Sequence, residues 1–188
     1  MTAGPAYAEL QVTTNYSFLR GASHPEELVL AAAALGHRAI AVTDRNSLAG
    51  VVRAHAAACR AGIRLVVGAR LDLTDGPSLL CLPTDRAAYG RLARLLTVGK
   101  RRAAKGRCEL ALSDVLAHGQ GQIVVAVPPP VPDPAFADSL KLLSNYFKNR
   151  CYLSTNHLYS GDNARRIAGL AAIARRAGVP LVATNDVH

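Results

Sequence analysis

The 188-residue sequence has no tryptophan and a single methionine, and aromatic residues make up only 5% of it. So few π-faces leave little material for a platform that stacks successive nucleic-acid bases. No apolar run approaches the ~20 residues that a membrane-spanning helix requires, so no membrane partner is expected. The opening MTAGPAYAELQ lacks a basic segment followed by an apolar one and does not read as a secretory signal. Cysteine occurs four times, at Cys59, Cys81, Cys108 and Cys151, and never as CxxC. That spacing argues against a zinc knuckle and for reduced thiols in a cytoplasmic protein. The GxSxG, GxxxxGKS/T, GxGxxG and HExxH patterns are also absent, so none of the chemistries they mark has a sequence signature here.

Acidic residues are scarce as well. Thirteen Asp and Glu face 22 Lys and Arg, a formal net charge of +9. Such an excess favours polyanionic partners, nucleic acid above all. Its densest run is GKRRAAKGR, residues 99–107. It reads as a basic loop, with Lys100, Arg101, Arg102 and Lys105 as candidate contacts to phosphates. A solvated loop with no partner is the plain alternative. PPPVPDP, residues 128–134, reads as a stiff extended segment, since proline fixes φ and removes donors.

What is plentiful is apolar residues, 50% of the chain, enough for one globular domain with a sizeable core. Short runs rich in Val, Ile and Leu predict strands at 8–13, 38–43, 64–69, 78–83, 122–127, 151–155 and 180–185. Between them, helical patterns predict helices at 24–35, 47–60, 84–97, 113–117, 135–147 and 162–177. Near-continuous apolar strands alternating with helices indicate parallel strands covered by helices. Ser23-His24-Pro25-Glu26 reads as a capping box, with Ser23 as cap and Glu26 reaching back. AGIRLVVGA (61–69) and AGVPLVATN (177–185) are near copies of one helix-to-strand joint. Together these features predict an α/β fold of about seven strands, a barrel-like (βα) arrangement, with an open doubly wound sheet as the second choice.

In either arrangement chemistry gathers at the carboxyl ends of strands. The only ligand-like cluster there is Asp186-Val187-His188, with Asp44 as a partner. Asp and His two apart can share one face of an extended segment, although such a pair in a turn after a strand is more often plain loop. His24, His37, His55, His118 and His157 receive no catalytic role.

Taken together, NYSFLRGASHPEEL, AIAVTDRNSLAGVV, AGIRLVVGARLDL, TDRAAYGRLARLL and GVPLVATNDVH resemble, in order, the PHP domain of bacterial DNA polymerase III alpha-type enzymes. VTTNYSFLRGASHPEEL, GARLDLTDGPSLLCLPTDRAAYGRL and VGKRRAAKG are similar to the error-prone, damage-induced branch used in translesion synthesis. The resemblance covers about residues 7–127 and 150–188. It implies a distorted seven-stranded (βα) barrel that, in active members, holds up to three metals and hydrolyses phosphoesters.

Carried over position by position, the family's first HxH falls on Gln11 and Thr13. The acidic residue of the following loop is Arg20, the His of the second strand's TDH motif is Arg45, beside Asp44, and the acidic residue after the third strand is Arg70. A further His falls on Ser78. The final DxH is intact as Asp186 and His188. Arginine cannot deprotonate in a protein, and at ~4 Å and an effective dielectric of ~20 a like-charge contact costs ~4 kcal/mol per pair of unit charges. The resemblance therefore implies a degenerate, non-catalytic site with no metal cofactor, leaving at most a weak ion at Asp186 and His188. Arg20, Arg45 and Arg70 are expected to turn into it and pair with Asp44, Asp186 or Glu9. The resemblance further implies a longer parent polymerase that acts on DNA with magnesium and works with a sliding clamp and damage-response accessory proteins. In that reading the 188 residues are a fragment with a structural or DNA-positioning role in replication and repair. A free-standing metal-dependent phosphoesterase and a binding module with an arginine-lined anion pocket are the alternatives.

Overall fold

The computed structural model describes residues 6–157, 159 and 161–188. The chain divides into two compact units, residues 1–69 with 186–188, and residues 70–185.

The first unit is built on a parallel three-stranded sheet. β1 (Ala8–Val12), β2 (Ala39–Val42) and β3 (Arg64–Val67) lie in that order. Every residue of β2 is buried, as expected for a central strand covered on both faces. Helices α1 (Pro25–Ala34) and α2 (Val51–Ala61) supply the covering layer. Their Val29, Ala32, Ala54, Ala57 and Ala58 join Val12, Ile40 and Val42 in one core cluster. Small alanines let the two helices approach each other and the sheet closely. α1 starts one residue later than the sequence suggests. His24 is its cap, Pro25 occupies the first helical position, and Glu27 reaches back to accept from the His24 N–H at 2.7 Å. Proline's fixed φ suits that first position and sets the frame. Glu26 is thereby freed to pair with Arg53 on α2 at 2.5 Å, a contact that holds its carboxyl below the usual range.

The second unit carries a mixed sheet in the order β4 (Ala69–Leu71), β5 (Ser78–Pro83), β6 (Gln122–Val127), β7 (Cys151–Thr155) and β8 (Leu181–Ala183). Its helices are α3 (Arg86–Arg102), α4 (Leu112–Ala117), α5 (Pro134–Tyr146) and α6 (Asn163–Ala177). Asp85 and Asp133 cap α3 and α5, accepting from the Ala88 and Phe136 N–H groups at 2.7 and 2.8 Å. The repeated joint is real: Gly62 and Gly178 end α2 and α6 at φ 68° and 71°, a left-handed turn that glycine enters without a side-chain clash.

Two expectations need correction. The strands do not form a seven-stranded parallel barrel. Among the described residues there are eight, in two sheets that do not close, because the run 64–69 breaks at Gly68 into β3 and β4. β5 and β6 run antiparallel, from Ser78 opposite Val127 to Pro83 opposite Gln122. Hydrophobic pattern reports burial on both faces and carries no information about strand direction, so the sequence could not reveal this reversal.

The second correction concerns the basic segment. Gly99–Arg102 are the last turn of α3, and only the residues that follow form a loop. Lys and Arg are good helix formers and sit favourably at a helix C-terminus. Gly99 is the other reason: a Cβ there would stand 2.6 Å from Leu110 and 2.7 Å from the Cys108 sulfur. Leu110 is fully buried and cannot give way. Gly99→Ala is expected to destabilise the chain by about 1–3 kcal/mol in chemical denaturation, through overpacking.

Burial pushes the thiols of Cys81 and Cys151 up to about 12 and about 11, from an ordinary 9.0. The folded chain therefore holds protons that the unfolded chain releases above pH ~9, and stability should fall as pH rises from there toward 11. Denaturation midpoints across that range should decline, and less so in a Cys81→Ala, Cys151→Ala variant.

Candidate functional site

The strand ends of the first unit gather most of the residues singled out in the sequence. Their arrangement depends on one carboxylate. Asp44, just beyond β2, is completely buried. A charge in that position must be met by donors. Its Oδ1 accepts from the Thr14 backbone N–H at 2.9 Å and from the Ser17 hydroxyl at 2.7 Å. The Thr14 hydroxyl lies 3.0 and 2.9 Å from its two oxygens. The loop from Thr14 to Gly21 is thus folded around Asp44. Ser17 in turn accepts from the Arg45 N–H at 2.9 Å.

Helix α2 completes the enclosure. Gly50, its cap, stands so close that a Cβ there would be 2.6 Å from Asp44 Oδ2 and 3.0 Å from the Thr14 hydroxyl oxygen. Absence of a side chain lets the helix N-terminus, with its free N–H groups and positive dipole end, come up to the carboxylate.

Gln11 and Thr13 are buried at the end of β1. Residues 186–188 run beside that strand: Val187 accepts from the Thr13 N–H at 2.8 Å and donates to the Gln11 carbonyl at 2.9 Å. This brings the Gln11 amide against Asp186, donating to Oδ1 at 2.5 Å. Because a carboxylate only accepts, the amide must turn its NH2 toward Asp186. His188 Nε2 lies 3.6 Å from the same oxygen. Nearby Glu9 is buried and accepts from the Tyr7 hydroxyl at 2.7 Å and the Gln11 N–H at 2.8 Å. Burial first, then the bond to Glu9, raises the Tyr7 pKa well above its ordinary value.

The arginines do not behave as one group. Arg20 is exposed on the loop and does not turn inward toward Asp44, whose oxygens are met by Thr14 and Ser17. Short hydroxyl and N–H donors from the loop after β1 reach it at less conformational cost than a long guanidinium would. In the second unit, Arg70 pairs with Asp72 at 3.3 Å, a partner the sequence reading overlooked. Asp72 Oδ1 also accepts from Ser78 at 2.6 Å. Arg70 and Ser78 line a cleft of about 550 Å³ with Asp75, Pro128 and Asp133. Of the basic segment, Arg102 is engaged by Asp114 through two bonds of 2.7 and 3.0 Å. Lys100, Arg101 and Lys105 are exposed.

This donor set does not fit a multinuclear metal centre. Gln11 offers an N–H and no lone pair toward Asp186, Asp44 already accepts from Thr14 and Ser17, and the guanidinium of Arg45, beside it in the sequence, has no lone pair to give a cation. Among the described residues no three His, Cys, Asp or Glu converge on one point.

The PHP domain family profile matches residues 9–154, more than three quarters of the chain. The chain belongs to the PHP domain family. It is 54% identical over 184 residues to an error-prone DNA polymerase of Caulobacter vibrioides and 49% identical over 185 residues to error-prone DNA polymerase 1 of Agrobacterium fabrum. These alignments take in 97% and 98% of the chain, which spans only 17% of the length of either relative. Among solved structures, a Bifidobacterium adolescentis protein named as a metal-dependent phosphoesterase superposes with a TM-score of 0.69. It shares 16% identity, over 98% of this chain and 88% of the other. A Chromobacterium violaceum amidohydrolase gives a TM-score of 0.66 at 19% identity, over 97% and 88%. At such identities these likenesses establish the PHP-type fold and nothing finer.

Thr14, Ser17 and Gly50 were not singled out in the sequence. A hydroxyl one residue past Thr13 and another three residues on were the available signal, since a buried acid recruits nearby short donors. Asp44→Ala should strand those donors and cost about 2–4 kcal/mol in urea denaturation, with the loop 14–21 losing amide protection first.

Proposed function

We propose that the chain is the PHP region of an error-prone DNA polymerase, that it has given up metal-dependent hydrolysis, and that it serves the polymerase structurally and by helping to position DNA. The observation that carries this reading is the pairing of 44–54% identity to error-prone polymerases with a donor set that faces protein groups. In such a protein nucleotide addition, with its magnesium, would be the work of other parts of the polypeptide. DNA, a sliding clamp and damage-response accessory proteins would be its partners, and the cytoplasm its compartment. Lys100, Arg101 and Lys105 are the proposed phosphate contacts of the former loop segment. Arg102 is set aside because Asp114 already neutralises it.

The phosphoesterase reading draws only on fold likeness at 16% identity. Hydrolysis of p-nitrophenyl phosphate and of a 3′-terminal phosphodiester, with manganese or zinc added, separates the two. The expected result is no turnover above the metal-only blank, and no difference between the wild type and Asp186→Ala. Turnover that disappears in Asp186→Ala would overturn the proposal.

A further inference from the structure

Helix α3 carries a cationic face that the fold itself does not use. At 100° per residue, Arg86, Arg94, Lys100 and Arg101 fall within about 120° of one another, along a length of about 22 Å. All four are exposed. Lys105 and Arg107, also exposed, continue the charge into the turn beyond. None of the six is in an ion pair among the described residues. Their neighbours on the same helix show the contrast. Arg91, on the flank, donates to the Gln120 carbonyl at 2.7 Å, and Arg102 is held by Asp114. Asp85 is occupied in capping the helix and Asp114 in holding Arg102.

A second observation comes from the middle of that face. Gly90 sits between Arg86 and Arg94, one turn from each, in the interior of a 17-residue helix. A Cβ there would meet nothing within 4 Å, and its φ is not positive. Neither packing nor backbone geometry calls for glycine, which is unfavourable in a helix interior. Thr97 continues the row as another small residue before Arg101. The line is therefore low in the centre and charged along its length, a shape that admits a polyanion close to the helix backbone.

We infer that the exposed face of α3 is a docking surface for the phosphodiester backbone of duplex DNA. A duplex presents one negative charge per about 1.7 Å, so about 13 charges lie along the helix's length, ample for four to six contacts. The charges follow no base-reading pattern, and Tyr89, 40% exposed, is the one aromatic residue within α3. Backbone contact without base stacking favours the duplex over an unpaired strand. The inference rests on the DNA-polymerase reading and sharpens it, moving the contact from a loop of four residues to a helix face. The phosphoesterase assay fails or succeeds independently of it.

The test is fluorescence anisotropy of a 20-base-pair duplex with the 188-residue chain across a salt series. Two variants of equal charge are compared, Arg86→Gln, Arg94→Gln, Arg101→Gln on α3 and Arg165→Gln, Arg175→Gln, Arg176→Gln on α6. α6 is a demanding control because it too carries exposed arginines around an open Gly169. Circular dichroism verifies that both fold. The α3 variant should lose at least tenfold in affinity at low salt, with the slope of log K against log salt shallower by about 2–3. The α6 variant should change by less than threefold. Gly90→Leu, with every charge kept, should weaken binding several-fold without lowering the melting temperature. Equal losses in the two charge variants, unchanged binding in the α3 variant or in Gly90→Leu, tighter binding of the single strand, or no binding by the wild type would each overturn the inference.

Discussion

A carboxylate with no exposure cannot stand alone, and Asp44 shows how the first unit is arranged to meet that demand. Two hydroxyls, a backbone N–H and the end of α2 surround it. The fold brings each of them to Asp44: Thr14 and Ser17 from the loop after β1, and Gly50 from the start of α2. The loop 14–21, the start of α2 and the end of β2 are consequently tied to one another through a single side chain. Hydrogen bonds between protein groups fill the space around the carboxylate.

The same economy appears at Asp186. Its oxygen takes a hydrogen bond from Gln11, and residues 186–188 are fixed by backbone bonds to β1. Gln11 thus has a definite task, because its NH2 group meets the charge of Asp186. Arg70 follows the rule in the second unit by pairing with Asp72. Arg20 does not, and stays exposed. The arginines are better understood separately than as one network replacing a metal cluster.

Much of the fold was legible because it depends on local signals. Four of the six helices fall within a residue of their predicted bounds, since apolar period, Asp caps and the glycines after α2 and α6 are all encoded within a few residues, while α2 begins four residues later and α3 runs five residues further. Strand direction was not legible: β5 and β6 read as apolar runs whichever way they lie. The end of α3 was misread because Gly-Lys-Arg-Arg looks like a loop until Leu110 and Cys108 are known to fill the space beside Gly99. In the site, the sequence pointed to Gln11, Asp44 and Asp186, which the structure places at the strand ends of the first unit. Their partners were not legible, because Thr14 and Ser17 meet Asp44 across roughly 30 residues of sequence. The basic run drew attention as a block of charge. Only the helix phase separates Arg102, which is structural, from Arg86 and Arg94, which lie well before the run and share its exposed face.

The central claim is that the site's carboxylates are satisfied by protein donors and leave no room for a metal cluster. Its most direct test is a crystal soaked in manganese, with data collected at the manganese absorption edge. The account predicts no anomalous peak within coordination distance of Asp44, and at most one weak peak beside Asp186 and His188. Two or more strong peaks at those strand ends, with Gln11 or Thr13 turned to ligate them, would contradict it.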